Sequence, residues 1–253
     1  MFKTYLIDGD KGGVGKSLAT RALVHYFLSL PEEQRPVLAV FDADMSNPDV
    51  CGTGGLSRNN TELAQAEIID LSVEYGWISF ANALADLTKD TCDEELRIIV
   101  NMPAQIGPRA FRGDMPLVSD VLREAHALPV WLLSRTDESI RTLEQRINAM
   151  PQRFGTGLAL RNLFFGAADK FQRWQASELR KQIVENGNWI EASFPEINDE
   201  VISRIGRTPF HVALEEGLDG KSLPYGYRLV LNSWLRTARS VFDMLEQLQL
   251  PGE

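Results

Sequence analysis

Lys11-Gly12-Gly13-Val14-Gly15-Lys16-Ser17 follows a short apolar run, Tyr5-Leu6-Ile7, and precedes Leu18, Ala22, Tyr26 and Leu30 at helical spacing. A strand, a glycine-rich turn and a helix N-terminus together make an anion site. Small residues let backbone N–H groups approach a phosphate, and the helix dipole adds partial positive charge there. In such a turn Lys16 reaches the β- and γ-phosphates, and the Ser17 hydroxyl is placed for Mg²⁺. The strict G-x-x-x-x-G-K-[ST] pattern fails at one position, because Asp10 stands where its first glycine belongs. The remaining string still favours nucleotide phosphate binding over an ordinary strand–helix turn.

Outward from that stretch, apolar runs alternate with helical patterns. Val37-Leu38-Ala39-Val40-Phe41, Leu96-Arg97-Ile98-Ile99-Val100 and Pro129-Val130-Trp131-Leu132-Leu133 read as strands buried on both faces of a parallel sheet. Residues 158–165 and 189–193 add two more. Helices are expected over 77–87, 117–127, 138–150 and 176–185, and residues 45–71 and 105–116 read as irregular loops, the second carrying Arg109 and Arg112. Such alternation predicts an α/β fold with a mostly parallel, doubly wound sheet. Residues 227–250 carry Tyr227, Val230, Leu231, Trp234, Val241, Leu245 and Leu248 at helical spacing, which predicts a helix docked on the sheet. A chain of 253 residues is long enough for one large domain over 1–253.

Composition narrows the function. Two cysteines, Cys51 and Cys92, without metal-ligand spacing suggest a reducing compartment, and the first strand leaves no room for a signal peptide. No apolar run approaches the roughly 18–20 residues of a membrane helix. The expected location is therefore the cytoplasm, without a membrane partner. A net charge of −9 argues against a nucleic-acid partner bound through a basic face, though a local patch can hide in an acidic total. His25, His126 and His211 share no metal motif, and no Ser-His-Asp or Cys-His arrangement occurs.

Acids at strand ends supply the remaining candidates. Asp42-Ala43-Asp44 lies just beyond the carboxyl end of the second strand, where open α/β sheets bind ligands. Two such carboxylates can hold Mg²⁺ through water or orient a water towards a γ-phosphate. The strand 96–100 ends in Asn101-Met102-Pro103-Ala104, where many nucleotide hydrolases place an Asp. Asn101 hydrogen-bonds but brings no charge and is a very poor base. A guanine-reading [NT]-K-x-D string is absent, since Thr88-Lys89-Asp90 fails at its fourth position, and this tilts the base towards adenine.

The string Lys11 to Ser17 resembles the deviant Walker A motif of the ParA/MinD family of ATPases. Asp42-Ala43-Asp44 resembles that family's first switch and Asn101-Met102-Pro103-Ala104 its second. Phe194-Pro195-Glu196-Ile197-Asn198 and Arg207-Thr208-Pro209-Phe210 resemble its late segment passing the adenine. The resemblance implies a P-loop NTPase fold of seven to eight strands, with ATP and Mg²⁺ as cofactors. It implies a nucleotide cradle of Gly12, Gly13, Val14, Gly15, Lys16 and Ser17, with Asn162 and Pro195 on the adenine side. Ser17 and Asp42 would serve the metal, Asp44 would orient the attacking water, and Lys11 would cross to a partner's nucleotide in an ATP-bound homodimer. Its style is similar to the accessory ATPases of plasmid transfer and stability, of the TraL, StbB and MobD kind.

The leading expectation is an ATP-driven dimerisation switch with weak ATPase activity, serving plasmid transfer, partition or cargo positioning with a protein partner. Asn101 motivates an alternative, a nucleotide-gated scaffold that does not hydrolyse. A metabolic ligase or phosphotransferase on the same fold is the third reading, but no polar cluster marks a second substrate pocket.

Overall fold

Seven strands and their intervening helices order the chain, which a computed structural model describes over residues 2–56, 62–91, 94–103, 116–149, 154–215 and 223–248. The loop carrying Arg109 and Arg112 and its expected neighbours at 104–115 lie outside the described residues. The strands are β1 (Phe2–Gly9), β2 (Val37–Asp42), β3 (Gln65–Ile68), β4 (Leu96–Asn101), β5 (Ala127–Leu133), β6 (Thr156–Asn162) and β7 (Asn188–Phe194). The helices are α1 (Lys16–Leu28), α2 (Glu74–Asp90), α3 (Pro116–Glu124), α4 (Asp137–Ala149), α5 (Gln172–Gln175), α6 (Glu178–Arg180), α7 (Asp199–Ile205), α8 (Phe210–Glu215) and α9 (Tyr225–Glu246).

The strand order is β3-β2-β4-β1-β5-β6-β7, and every pairing is parallel. The run-on apolar strands follow from this arrangement, because alternate side chains enter two different cores. Tyr5 and Ile7 of β1 join Leu38, Val40, Leu128 and Val130 on the face covered by α1, α8 and α9. Leu6 joins Ala39, Phe41, Ile98 and Trp131 on the face covered by α2, α3 and α4. Trp77 and Phe80 of α2 are fully buried in that second core, Phe80 edge-on to Phe41 at 5.1 Å.

The C-terminal helix α9 lies over the first core. Phe194 meets Trp234 edge-on at 5.4 Å, and Tyr26 of α1 donates its phenol proton to Asp243 Oδ1 at 2.9 Å. Among the described residues no helix is long and apolar enough to cross a membrane.

Four local readings change. The loop expected over 45–71 contains β3, an edge strand with one neighbour, whose sequence Gln-Ala-Glu-Ile lacks the apolar run that marks central strands. The strand expected to reach Phe165 stops at Asn162, because the Asn162 side chain accepts from the Phe164 N–H and turns the chain into a 3₁₀ turn. The helix expected over 176–185 is broken. Ser177 ends one turn and caps the next by accepting from the Arg180 N–H, and residues 181–185 follow as a π turn. The segment after Phe194 contains two short helices, α7 and α8, too brief to show periodicity in sequence.

Candidate functional site

The loop between β1 and α1 stands at the carboxyl edge of the central strand, flanked by β4 and β5. Gly13 and Gly15 have φ of 76° and 98°, left-handed values that side-chained residues rarely adopt. Gly15 is further constrained, since a Cβ there would stand 2.7 Å from Asn162 Nδ2. Among the described residues His126 is the one non-glycine with positive φ, so position 10 needs no glycine backbone and Asp10 fits there. Gly15 serves as the N-cap of α1 without a side-chain cap, which leaves first-turn N–H groups free for an anion.

The two lysines of the loop have different surroundings. Lys11, Gly12 and Gly13 are exposed, and the Lys11 ammonium lies 5.7 Å from the centre of the Phe165 ring. Lys16 is 5% exposed and its ammonium donates to the Lys11 carbonyl at 3.1 Å. Burial lowers the Lys16 pKa, against the opposing pull of Asp8, Asp44 and Asp10. An anionic ligand would relieve that desolvation directly.

Asp8 and Asp10 add negative charge beneath the loop. Asp8, at the end of β1, accepts from the Gly9 N–H at 2.7 Å and faces Arg146 of α4 at 3.5 Å; burial raises its pKa. Both Asp10 carboxylate oxygens are buried without a hydrogen bond of ordinary geometry. Burial raises the Asp10 pKa also, against the pull of Lys11, the nearby Ser139 hydroxyl and Lys16. Nothing in the sequence marks Asp8, which closes an apolar run.

Asp42 is fully buried and its carboxylate is already engaged. Oδ2 accepts from the Val50 and Cys51 N–H groups at 2.9 and 3.1 Å, and Oδ1 from the Asp44 N–H at 3.2 Å and Asn101 Nδ2 at 2.8 Å. Asp44, half-buried, stays close enough to influence Lys16. Asn101 reaches Ser17 Oγ as well, at 3.4 Å, so the ends of β2 and β4 and the start of α1 converge. Among the described residues no group of three His, Cys, Asp or Glu could hold a metal. A cation here would depend on nucleotide phosphates and water for most of its shell, as Mg²⁺ usually does.

Asn162 and Pro195 each make a hydrogen bond that ties two elements together. Asn162 Nδ2 donates to the Val14 carbonyl at 2.9 Å, so this side chain braces the phosphate loop from β6. The Pro195 carbonyl accepts from Trp234 Nε1 at 2.9 Å, and Asn198 caps α7. The segment Arg207–Phe210 meets α1 and the loop after Asp42. Arg207 pairs with Asp49 at 2.8 Å, and the Arg21 guanidinium donates to the Thr208 carbonyl at 2.7 Å while stacking over Phe210. Arg21 had no distinguishing mark in sequence.

No family model matches the chain. Over 242 residues it is 32% identical to the protein MobD of Acidithiobacillus ferrooxidans, covering 94% of this chain and 96% of MobD. Its fold is similar to MinD, the cell division protein of Aquifex aeolicus, with a TM-score of 0.51 at 16% identity over 95% of this chain and 97% of that one. The chain belongs to the ParA/MinD-type ATPase family. The same fold is seen in an ATP complex of a McdA variant from Cyanothece, with a TM-score of 0.54 at 15% identity over 98% of both chains. In this ParA/MinD-type chain the phosphate loop, Lys16 and the Asp42–Asn101 pair occupy one carboxyl edge of a seven-stranded parallel sheet, a P-loop NTPase architecture.

Proposed function

We propose that the protein is an ATP-driven dimerisation switch with weak ATPase activity, acting with a protein partner in plasmid transfer, partition or cargo positioning. The observation that carries the reading is the division of the two lysines: Lys16 is buried at the base of the loop, and Lys11 is exposed at its rim. Lys16 binds phosphate within its own chain, with the free N–H groups of Gly12 to Ser17. Lys11 is exposed, and its charge would reach a second protomer's nucleotide, much as an arginine finger neutralises γ-phosphate charge. The relation to MobD supports a plasmid setting over a metabolic one.

In this reading ATP and Mg²⁺ are the cofactors. Ser17 supplies a direct oxygen to the metal, which polarises the phosphates when bound. Asp42, with four hydrogen bonds already accepted, acts through its charge and through water. Asp44 orients the attacking water, and Asn162, which holds the Val14 carbonyl, and Pro195 would serve the side given to adenine.

Light scattering with ATP, ADP or no nucleotide tests the switch. A dimer forms with ATP alone, and Lys11→Ala stays monomeric in all three conditions while still binding ATP. A wild-type monomer throughout, or an ATP-dependent Lys11→Ala dimer, would sink the mechanism. Asn101 favours a second reading, a nucleotide-gated scaffold that does not hydrolyse, because it puts a neutral amide beside Asp42. Phosphate release clearly above a Lys16→Ala control rules that reading out.

A further inference from the structure

The loop after β2 is held at two separate points. At its far end the Asp42 carboxylate accepts from the Val50 and Cys51 N–H groups. Nearer the start, the Asn47 N–H donates to Asp44 Oδ1 and to the Asp44 carbonyl, both at 3.2 Å. One oxygen of the Asp44 carboxylate is thus fixed by a residue three positions on. Asn47 is itself exposed, on a stretch without helix or strand, so its own place depends on its side chain.

Arg207, 160 residues further along the chain, supplies that hold. Its Nε donates to Asp49 Oδ1 at 2.8 Å and its Nη2 to Asn47 Oδ1 at 3.0 Å. A guanidinium only donates, so the Asn47 amide oxygen must face it, and the amide nitrogen then turns onto Asp49 Oδ2. The planar fork closes Asn47 and Asp49 into one unit, which a point-like ammonium could not span. Arg207 has a firm base in turn. Arg21 of α1, 7% exposed, donates to the neighbouring Thr208 carbonyl at 2.7 Å and stacks 4.5 Å from the centre of the Phe210 ring. The segment between α7 and α8 is therefore fixed on α1, the helix that begins with Lys16, and reaches from there to the loop that carries Asp44.

We propose that Arg207 is a positioning residue for Asp44, acting through Asn47 to hold the loop after β2 in its working shape. The inference rests on the reading of Asp44 as the group that orients the attacking water. Arg207 touches neither that water nor Asp44; it sets the residue whose N–H holds the carboxylate.

Steady-state phosphate release and amide exchange test it. Arg207→Ala lowers kcat about fivefold, the order expected of one part-exposed ion pair, and leaves KM for ATP within about twofold. Asn47→Ala does the same, and the double variant loses no more than either, because the two residues act in series. Arg207→Lys keeps the charge for Asp49 without the fork and recovers only part of the rate. A raised KM at unchanged kcat would make Arg207 a nucleotide contact and overturn the proposal, as would losses that multiply in the double variant. In the nucleotide-free protein, NMR should show the Asn47 amide exchanging with solvent about fivefold faster in Arg207→Ala. Val50 and Cys51, held by Asp42, keep their rates. Unchanged Asn47 exchange overturns the proposal with or without activity. If wild type releases no phosphate above a Lys16→Ala control, the water-orienting role of Asp44 falls and the exchange rates judge Arg207. Arg207→Gln takes the place of the alanine variant should that one not accumulate.

Discussion

The two ends of β1 carry charge in opposite ways. At its amino end, Lys3 donates to the Glu246 and Leu248 carbonyls at 3.1 and 2.9 Å, capping the last turn of α9. Next to it across the parallel register, Arg97 of β4 forks onto Glu246 Oε2 at 3.1 and 3.0 Å, and the Tyr5 phenol donates to the same carboxylate. Burial, and then the Glu246 charge, raise the Tyr5 pKa. At the carboxyl end, Lys16 donates to a backbone carbonyl rather than to a carboxylate, and neither buried Asp10 oxygen makes a hydrogen bond of ordinary geometry. Buried charges are normally satisfied, so the charged side chains at one end are finished as scaffold and those at the other are left incomplete. Incomplete charge beside free helix N–H groups is what a ligand site looks like before its ligand arrives.

The strongest way to break this comparison is to remove a charge from the finished end. Arg97→Ala leaves the Glu246 carboxylate half-buried without its fork, so stability should fall by about 3 kcal/mol and melting by about 10 °C. ATP affinity should not change, since the site lies at the other end of the sheet. Differential scanning calorimetry and ATP titration of one preparation read both. A large loss of ATP binding would mean that the two ends are coupled. Lys16→Ala should do the reverse: ATP affinity falls at least about a hundredfold, near 2.7 kcal/mol, while melting holds or rises because a desolvated ammonium is gone. A melting loss as large as that of Arg97→Ala would show that Lys16 is scaffold too.

The same contrast explains what could be read from sequence. The phosphate loop was legible because local backbone rules constrain it: Gly13 and Gly15 need left-handed φ, and Lys16 must follow at a fixed offset. Central strands were legible because burial on both faces removes polar residues from the run. The edge strand β3 was not, since half of it faces solvent. Partners distant in the chain were also hidden. Nothing around Asn162 announces that it holds the Val14 carbonyl, 148 residues earlier, and nothing in Arg97 announces Glu246. Asn101 stood out for the charge it lacks, yet its bonds to Asp42 and Ser17 appear only when three elements are brought together.

The smallest expected effect is the sharpest test of the incomplete end. Asp10→Asn removes a carboxylate whose oxygens lack well-formed hydrogen bonds while keeping its shape. Burial raises the folded pKa of Asp10 above its ordinary 3.8, despite the lowering pull of Lys11, Ser139 and Lys16. Between the ordinary and the raised value the folded chain binds more protons than the unfolded one, so wild-type stability falls as pH rises through that window. The deficit is then fixed at neutral pH and absent well below the ordinary value. Asp10→Asn should therefore melt a few degrees above wild type at about pH 7 to 8, with the difference shrinking as pH falls and vanishing only below about pH 3. The gain stays small because Asp10 also offsets part of the Lys16 charge, and that contribution is lost with it. Melting curves of both proteins across this pH range decide the matter. A variant less stable than wild type at neutral pH would mean that Asp10 is paired with the lysines as firmly as Glu246 is with Arg97, and the carboxyl end of β1 would then be as finished as the other.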